Sequence, residues 1–236
     1  MAKKKKSKSK AKGGFKQWLR RWLMRAVLAF VALIGFFILL YTVVNPPYTH
    51  TMWAERSRLG QIEREWVAFE DIAPVMARSA VAAEDARFCQ HWGIDVQAVR
   101  AVLDEGSQRG GSTISQQVVK NVFLWQERSW IRKALETLIT PAVEAVWSKR
   151  RILEIYLNVA EMGEGIFGVK AAAKAYFNVS PDQLNAEQAA FLAALLPAPK
   201  SRSATNPSEK MKRKAAKIAD GAATIRADGR AACFED

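Results

Sequence analysis

The sequence predicts a mainly α-helical protein in which one membrane-spanning helix precedes a helical domain. Residues 26–44 carry no charge, and from Glu70 onward apolar residues recur at the three- and four-residue steps of helices. No convincing alternating strand pattern and no internal repeat of about 20–50 residues is evident. Helices therefore dominate the prediction.

The N-terminal tail accounts for most of the charge of the chain. The formal net charge is +13, and the first 25 residues carry eight lysines, three arginines and no acid. These cations leave a net charge of +2 for the rest of the chain. A basic tail suits anionic lipid headgroups, and the nearly neutral remainder makes nucleic acid an unlikely partner class.

The uncharged run from Ala26 to Val44 is long enough to span a membrane. At ~1.5 Å per residue it extends about 28 Å as a helix, close to the ~30 Å hydrocarbon core. A cleaved signal peptide, the competing interpretation, would have a shorter apolar region and small residues at a cleavage site. The lysines before the run predict a cytoplasmic N-terminus. The sequence thus predicts an uncleaved single-pass anchor.

The remaining organisation follows from composition and periodicity. Apolar spacing predicts a helix over 131–146 that Pro141 kinks or interrupts, a second over 152–159, and a third over 186–196. The predicted regions are a basic cytoplasmic tail (1–25), the anchor (26–44), a membrane-proximal segment (45–69), the main domain (70–207) and a polar, basic C-terminal segment (208–236). The chain after Pro199 is expected to be loosely held.

The first stretch whose residues could take part in catalysis contains Glu84. On a continuous helix Glu84, Phe88 and His91 would share one face. A carboxylate beside aromatic rings is partly desolvated, which raises its pKa and suits it to proton transfer. The alternative is a surface helix in which Glu84 pairs with Arg87.

The second stretch, Arg109–Asn121, places two glycines before a helix. Thr113 and Gln116 can form a capping box at its start. A helix N-terminus preceded by glycines binds anions, although the stretch lacks the phosphate-binding P-loop pattern. An ordinary glycine turn before a helix is the alternative.

Two further stretches combine cations with helical spacing. Arg132 and Glu136 lie one helical turn apart and could form a salt bridge. Equally, Arg128, Arg132 and Lys133 could hold a diphosphate. The fourth stretch, 148–158, indicates chiefly a packed structural helix.

Cys89 and Cys233 are too few for a disulfide framework and do not have zinc-site spacing. Sequence does not show whether they lie within bonding reach of each other. Their pairing stays open at this point.

In their order along the chain, the four stretches resemble the family-51 peptidoglycan glycosyltransferases, in particular the monofunctional biosynthetic enzymes of Gram-negative bacteria. The resemblance covers about residues 55–207, and the departures are small, with Ser115 and Phe167 where threonine and tyrosine are frequent. The matching motifs are EDxxFxxHxG from Glu84 to Gly93, GGSTxxQQxxKN from Gly110 to Asn121, RKxxE from Arg132 to Glu136, and KxxILExYLN from Lys149 to Asn158.

The resemblance implies a lysozyme-like helical domain with a cleft between two lobes. It implies an inverting enzyme that polymerises lipid II into β-1,4-linked glycan and releases undecaprenyl diphosphate. The expected partners are lipid II, the growing lipid-linked glycan, the membrane, and cell-wall synthesis and division proteins. We expect an inner-membrane protein with a periplasmic catalytic domain and no transpeptidase activity. No cofactor is required, no metal ligand is assigned, and a divalent cation such as Mg²⁺ or Mn²⁺ stays compatible.

The resemblance also implies the roles of individual residues. Glu84 would be the base that deprotonates the acceptor hydroxyl, and Glu136 the second essential carboxylate. Cations would stabilise the departing diphosphate, and polar residues would position substrate: Lys120 and Arg128 first, with Arg132 and Lys133 in support, and Asp85, Ser112, Thr113, Gln117 and Asn121 as substrate-binding residues.

Two other functions compete with this one. A membrane-anchored lysozyme-like lytic enzyme would cut glycan strands, but it needs no diphosphate site. A non-catalytic wall-synthesis scaffold would function normally with Gln in place of Glu84.

Overall fold

The computed structural model describes residues 8–98, 100 and 111–235. Arg109 and Gly110 of the second predicted stretch lie outside these residues, as does the start of the basic tail. The chain divides into two compact units, Met1–Val44 and Asn45–Asp236.

The first unit contains helix α1, Lys8–Leu40. Its portion Gly14–Leu40 has 27 residues and a mean hydropathy of 2.6, and is long and apolar enough to cross a membrane. This finding agrees with the predicted anchor. The helix ends four residues before Val44, and residues 41–44 form turns.

The second unit is mainly helical, as predicted. Short 3₁₀ turns lie at Phe69–Asp71, Phe88–Gln90 and Pro181–Gln183. The helices are α2 (His50–Leu59), α3 (Pro74–Glu84), α4 (Ile114–Phe123), α5 (Trp130–Val146), α6 (Lys149–Val159), α7 (Val169–Phe177), α8 (Ala186–Leu195), α9 (Glu209–Ala227) and α10 (Ala232–Glu235). A division into two lobes stays a prediction.

A small sheet, which the sequence did not predict, joins three short strands: β1 (Glu63–Arg64), β2 (Glu161–Gly163) and β3 (Ile166–Phe167). The order is β1-β3-β2, with β1 parallel and β2 antiparallel to β3. Strands of two or three residues are too short to show alternation in sequence.

Two groups of helices build the core around the end of α3. Helix α4 packs against α5 and α6, and α3 packs against α8 and α9. Helix α6 buries apolar residues such as Ile152, Leu153 and Leu157, and α8 is apolar on nearly every side. These contacts fix the positions of α3 and α4, which carry the polar motifs.

The interruption predicted at Pro141 is not observed, because α5 runs continuously from Trp130 to Val146. Proline removes one helical hydrogen bond. Thr140 and Val143 on either side are fully buried, so tertiary packing holds the helix together through the proline.

The C-terminal segment is not loosely held, and that prediction was wrong. Helix α9 is capped by Ser208, whose hydroxyl accepts from Met211 N, and it packs on α3 and α8. At Gly221 it approaches so closely that an added Cβ would lie 3.1 Å from Ala82 Cβ. Its buried residues recur at helical spacing among many lysines: Met211, Ala215, Ile218, Ala222 and Ile225.

Cys89 and Cys233 form a disulfide, with their Cα atoms 5.7 Å apart. The bond joins the 3₁₀ turn after α3 to α10. It resolves the pairing that the sequence left open.

Candidate active site

Glu84 is the last residue of α3. The helix ends there because Asp85 leaves the helical region, with φ −159° and ψ 68°. The predicted continuous helical face through Phe88 and His91 is therefore wrong. Arg87 does not neutralise Glu84, because it bonds Asp95 at 2.5 and 2.9 Å.

The Glu84 carboxylate is largely buried and has no ion-pair partner among the described residues. Gln117 Nε2 on α4 donates a hydrogen bond to Glu84 Oε2 at 2.8 Å. Burial raises the pKa of Glu84, although the Gln117 hydrogen bond and the charges of Lys214, Lys120 and Arg202 act in the opposite direction. Glu84 thus retains a proton more readily than an ordinary glutamate, which suits a group that must accept one.

Asp85 connects the loop after α3 to the N-terminus of α4. Its Oδ2 accepts from Ile114 N at 3.0 Å, and its Oδ1 lies 2.8 Å from His91 Nε2. The predicted capping box of Thr113 is confirmed, and the Thr113 hydroxyl also donates to Gly93 O at 2.6 Å. Because these polar atoms bond within the protein, Asp85 and Thr113 position the loop; their contact with substrate stays a prediction.

Helix α6 holds the same loop from another side. Lys149 Nζ donates to His91 O and to Glu144 Oε1, both at 2.8 Å, and lies 4.4 Å from the Phe88 ring centroid. Ser115 on α4 also donates to Glu144. The fourth predicted stretch therefore has its expected structural role, and that role bears directly on the site.

The second carboxylate, Glu136 on α5, is buried and fully paired. Arg132 Nη1 donates to its Oε2 at 2.6 Å, and Lys133 Nζ donates to its Oε1 at 2.5 Å. Lys133 also donates to Ser112 Oγ at 2.9 Å. The salt bridge that spacing suggested is present, and Ser112 ties it to the start of α4.

Lys120 interacts electrostatically with both carboxylates, Glu84 and Glu136. Burial lowers the pKa of Lys120; the charges of Glu136 and Glu84 oppose this shift, and those of Arg132 and Lys133 add to it. Asn121, one residue further, accepts from Gln126 at 2.9 Å. Arg128, in contrast, is exposed and makes no hydrogen bond to any residue in the described part of the chain.

Glu84 and Gln117, which are hydrogen-bonded to each other, each line a cavity. Glu84, Asp85, Ser112 and Thr113 line a cavity of about 220 Å³. Gln117 lines a second cavity of about 470 Å³, together with Lys120, Asn121 and Tyr156. The hydrogen bond between Glu84 and Gln117 therefore joins the walls of two spaces that substrates could enter.

Sequence reasoning missed several groups around Glu84. Tyr156 is fully buried, which raises its pKa well above the ordinary value, and its hydroxyl donates to Gln117 Oε1 at 3.3 Å. Lys214 on α9 and Arg202 before it place positive charge near Glu84. The apolar spacing of α9 was the available signal for Lys214, because that spacing brings the helix onto α3.

Asp85, His91 and Asp95 offer ligand atoms within 4.8 Å of one another, as metal sites do. Asp85 and His91 bond each other, however, and Arg87 and Ala98 N occupy the oxygens of Asp95. We assign these contacts to the loop's hydrogen-bond network.

Comparisons with known proteins agree on one group. A model of the family described as Transglycosylase matches residues 52–223. Similar proteins include three described as biosynthetic peptidoglycan transglycosylase. That of Jannaschia sp. (strain CCS1) is 57% identical and covers 92% of this chain and 91% of its own length. That of Pectobacterium atrosepticum is 46% identical (79% and 81%), and that of Salmonella arizonae 48% (80% and 84%).

Proposed function

This chain belongs to the transglycosylase family and is a peptidoglycan glycosyltransferase; from that premise we propose that it polymerises lipid II with Glu84 as catalytic base. The observation that carries the assignment of Glu84 is its largely buried carboxylate, which accepts a hydrogen bond from Gln117 but forms no ion pair with any described cation. Such a group can take a proton, whereas a carboxylate saturated by cations is a poorer acceptor.

In the proposed reaction the acceptor's 4-hydroxyl attacks the anomeric carbon of the donor glycan. Glu84 takes the hydroxyl proton as the new β-1,4 bond forms. The bond from the anomeric carbon to the diphosphate oxygen breaks, and undecaprenyl diphosphate leaves with inversion. Lys120 and the exposed Arg128 would balance the charge that develops on the leaving group.

Glu136 would act through the cations that it holds. Because it fixes Arg132 and Lys133 on one face of α5, the diphosphate would meet aligned positive groups. Ser112, which bonds Lys133, would link this cluster to the sugar-binding region. Gln117 and Asn121 line the larger cavity, where they would position the sugars.

The proposed location is the inner membrane, with the N-terminus cytoplasmic and the catalytic domain periplasmic. Charge supports this orientation, because the basic residues precede the apolar part of α1. Helix α2 begins at His50, ten positions after α1 ends at Leu40, so the chain itself keeps the enzyme near lipid-linked substrates. Cell-wall synthesis and division proteins are the proposed partners, and the absence of crosslinking activity stays a prediction.

The test is polymerisation of purified lipid II by the full-length protein in detergent. Wild type should make β-1,4-linked polymer, and Glu84→Gln should not. Release of soluble fragments from intact sacculi without polymerisation would favour a lytic enzyme. Normal wall growth in cells that carry only Glu84→Gln would favour a scaffold.

A further inference from the structure

The residues after α9, Asp228–Glu235, contact both sides of the turn that carries Glu84. We call this segment the C-terminal clasp. It contains α10, and Phe234 within it is fully buried. The clasp is therefore part of the folded domain and not a trailing end.

On one side the clasp holds the loop directly after Glu84. Arg230 Nη1 donates to Ala86 O at 2.9 Å, and Cys233 is bonded to Cys89. The rings of Phe234 and Phe88 lie 6.3 Å apart. A side-chain hydrogen bond to a backbone carbonyl, a covalent bond and a ring contact thus fall within five residues of Glu84.

On the other side the clasp holds the helix that ends in Glu84. Glu235 Oε1 lies 2.5 Å from Arg78 Nη1 on α3, and both side chains are mostly buried. Helix α6 adds a hydrogen bond from Arg150 Nη1 to Phe234 O at 3.3 Å. The clasp therefore bridges α3 and the following loop across the position of Glu84.

We propose that the C-terminal clasp, locked by the Cys89–Cys233 disulfide, is a positioning device that sets the direction of the Glu84 carboxylate. The inference rests on the proposed function of Glu84. Since no described cation forms an ion pair with Glu84, the direction of its carboxylate depends on the backbone angle between α3 and its loop together with the hydrogen bond from Gln117. Opening the disulfide releases that angle without removing any group that contacts substrate.

The clasp also protects the environment of Glu84. Among the described residues, the charged and titratable groups that act on Glu84 include Lys120 from α4, Tyr156 from α6, Lys214 from α9 and Arg202 before α9. A loosened loop admits water and reduces the desolvation of Glu84. The acidic limb of the pH–rate profile then moves to lower pH, which a simple loss of folded protein does not cause.

The experiment compares full-length wild type, oxidised and reduced, with Cys89→Ser/Cys233→Ser and with Arg230→Ala. Lys212→Ala serves as the control, because Lys212 forms an exposed pair with Glu209 in the same C-terminal region. We expect the reduced protein and the double variant to lose kcat by about tenfold or more with little change in KM. Their acidic limb should move down, and amide exchange over residues 84–91 should increase while α6 is unchanged.

The inference is overturned if the double variant has the same kcat, pH profile and loop exchange as the wild type. If that variant does not fold, the reduced wild type and Arg230→Ala test the inference instead. Where the double Ser variant does fold, the reductant should not change its activity. If wild type makes no polymer, the proposed function fails. The exchange measurement still shows whether the clasp orders the loop.

Discussion

Two carboxylates of the site, Glu84 at the end of α3 and Glu136 on α5, are both withdrawn from solvent but are held in opposite ways. Glu136 is 2% exposed and accepts from Arg132 and Lys133. Glu84 keeps a partly exposed edge and receives one hydrogen bond from the neutral amide of Gln117. Lys120 interacts electrostatically with both carboxylates.

The difference shows how one site separates proton transfer from charge stabilisation. A buried carboxylate without a paired cation is destabilised in its charged form, so it accepts a proton readily. A carboxylate bonded to two cations holds those cations in place through charge-assisted hydrogen bonds. The comparison therefore predicts that replacing each by glutamine has different consequences for activity and for stability.

Glu84→Gln should have the largest effect on activity. The amide keeps the size of the side chain but cannot accept the proton, so kcat should fall about 10²–10⁴-fold. The stability of the fold, in contrast, should stay the same or increase. Burial raises the folded-state pKa of Glu84 above its unfolded value, so ionisation destabilises the fold as pH rises through that window. At neutral pH the variant should melt at the same or a higher temperature, and Glu187→Gln on the exposed face of α8 is the control.

Lys120→Met should reduce kcat by about 10²-fold, the usual scale for losing one transition-state charge partner. The change also removes a positive charge that lowers the pKa of Glu84, so the acidic limb of the pH–rate profile should move to higher pH. The limb position is measured from kcat against pH, with the exposed Lys174→Met as control. An unchanged limb would show that Lys120 does not act on Glu84.

Glu136→Gln should reduce kcat by about tenfold and, unlike Glu84→Gln, should destabilise the protein. The substitution leaves Arg132 and Lys133 without their carboxylate, and the loss should be about 1–3 kcal/mol because Lys133 remains partly solvated. Urea unfolding of both glutamine variants measures the contrast. Equal changes in stability would refute the assignment of separate roles to the two carboxylates.

The sequence predicted the parts of the site that depend on local spacing. The capping box at Thr113, the pairing of Arg132 with Glu136 and the mainly helical fold all follow from residues three or four positions apart. The direction of the Glu84 pKa was also predicted correctly, but for a different reason: burial occurs at a helix end, not on a continuous face with Phe88 and His91.

The features that sequence missed depend on contacts between distant residues. Lys214 reaches the surroundings of Glu84 only because α9 packs on α3, and lysines between its apolar residues made that helix look like a solvated tail. The Cys89–Cys233 bond spans 144 residues, which no local pattern reports. Pro141 does not interrupt α5, because packing on both sides outweighs one missing hydrogen bond.

The smallest expected effect concerns the amide of Gln117, which donates a hydrogen bond to Glu84. Gln117→Leu removes the hydrogen bond that lowers the pKa of Glu84, so the acidic limb should move to higher pH, with kcat at alkaline pH reduced only a few-fold. Gln183→Leu, on an exposed 3₁₀ turn, is the matched control.

Tyr156→Phe tests the support of the Gln117 side chain separately from its hydrogen bond to Glu84. The substitution removes the hydroxyl that donates to the Gln117 oxygen but leaves the hydrogen bond from Gln117 to Glu84 in place. Its limb should lie between those of wild type and Gln117→Leu. If Tyr156→Phe shifts the limb further than Gln117→Leu, the tyrosine acts on Glu84 by a route other than the amide.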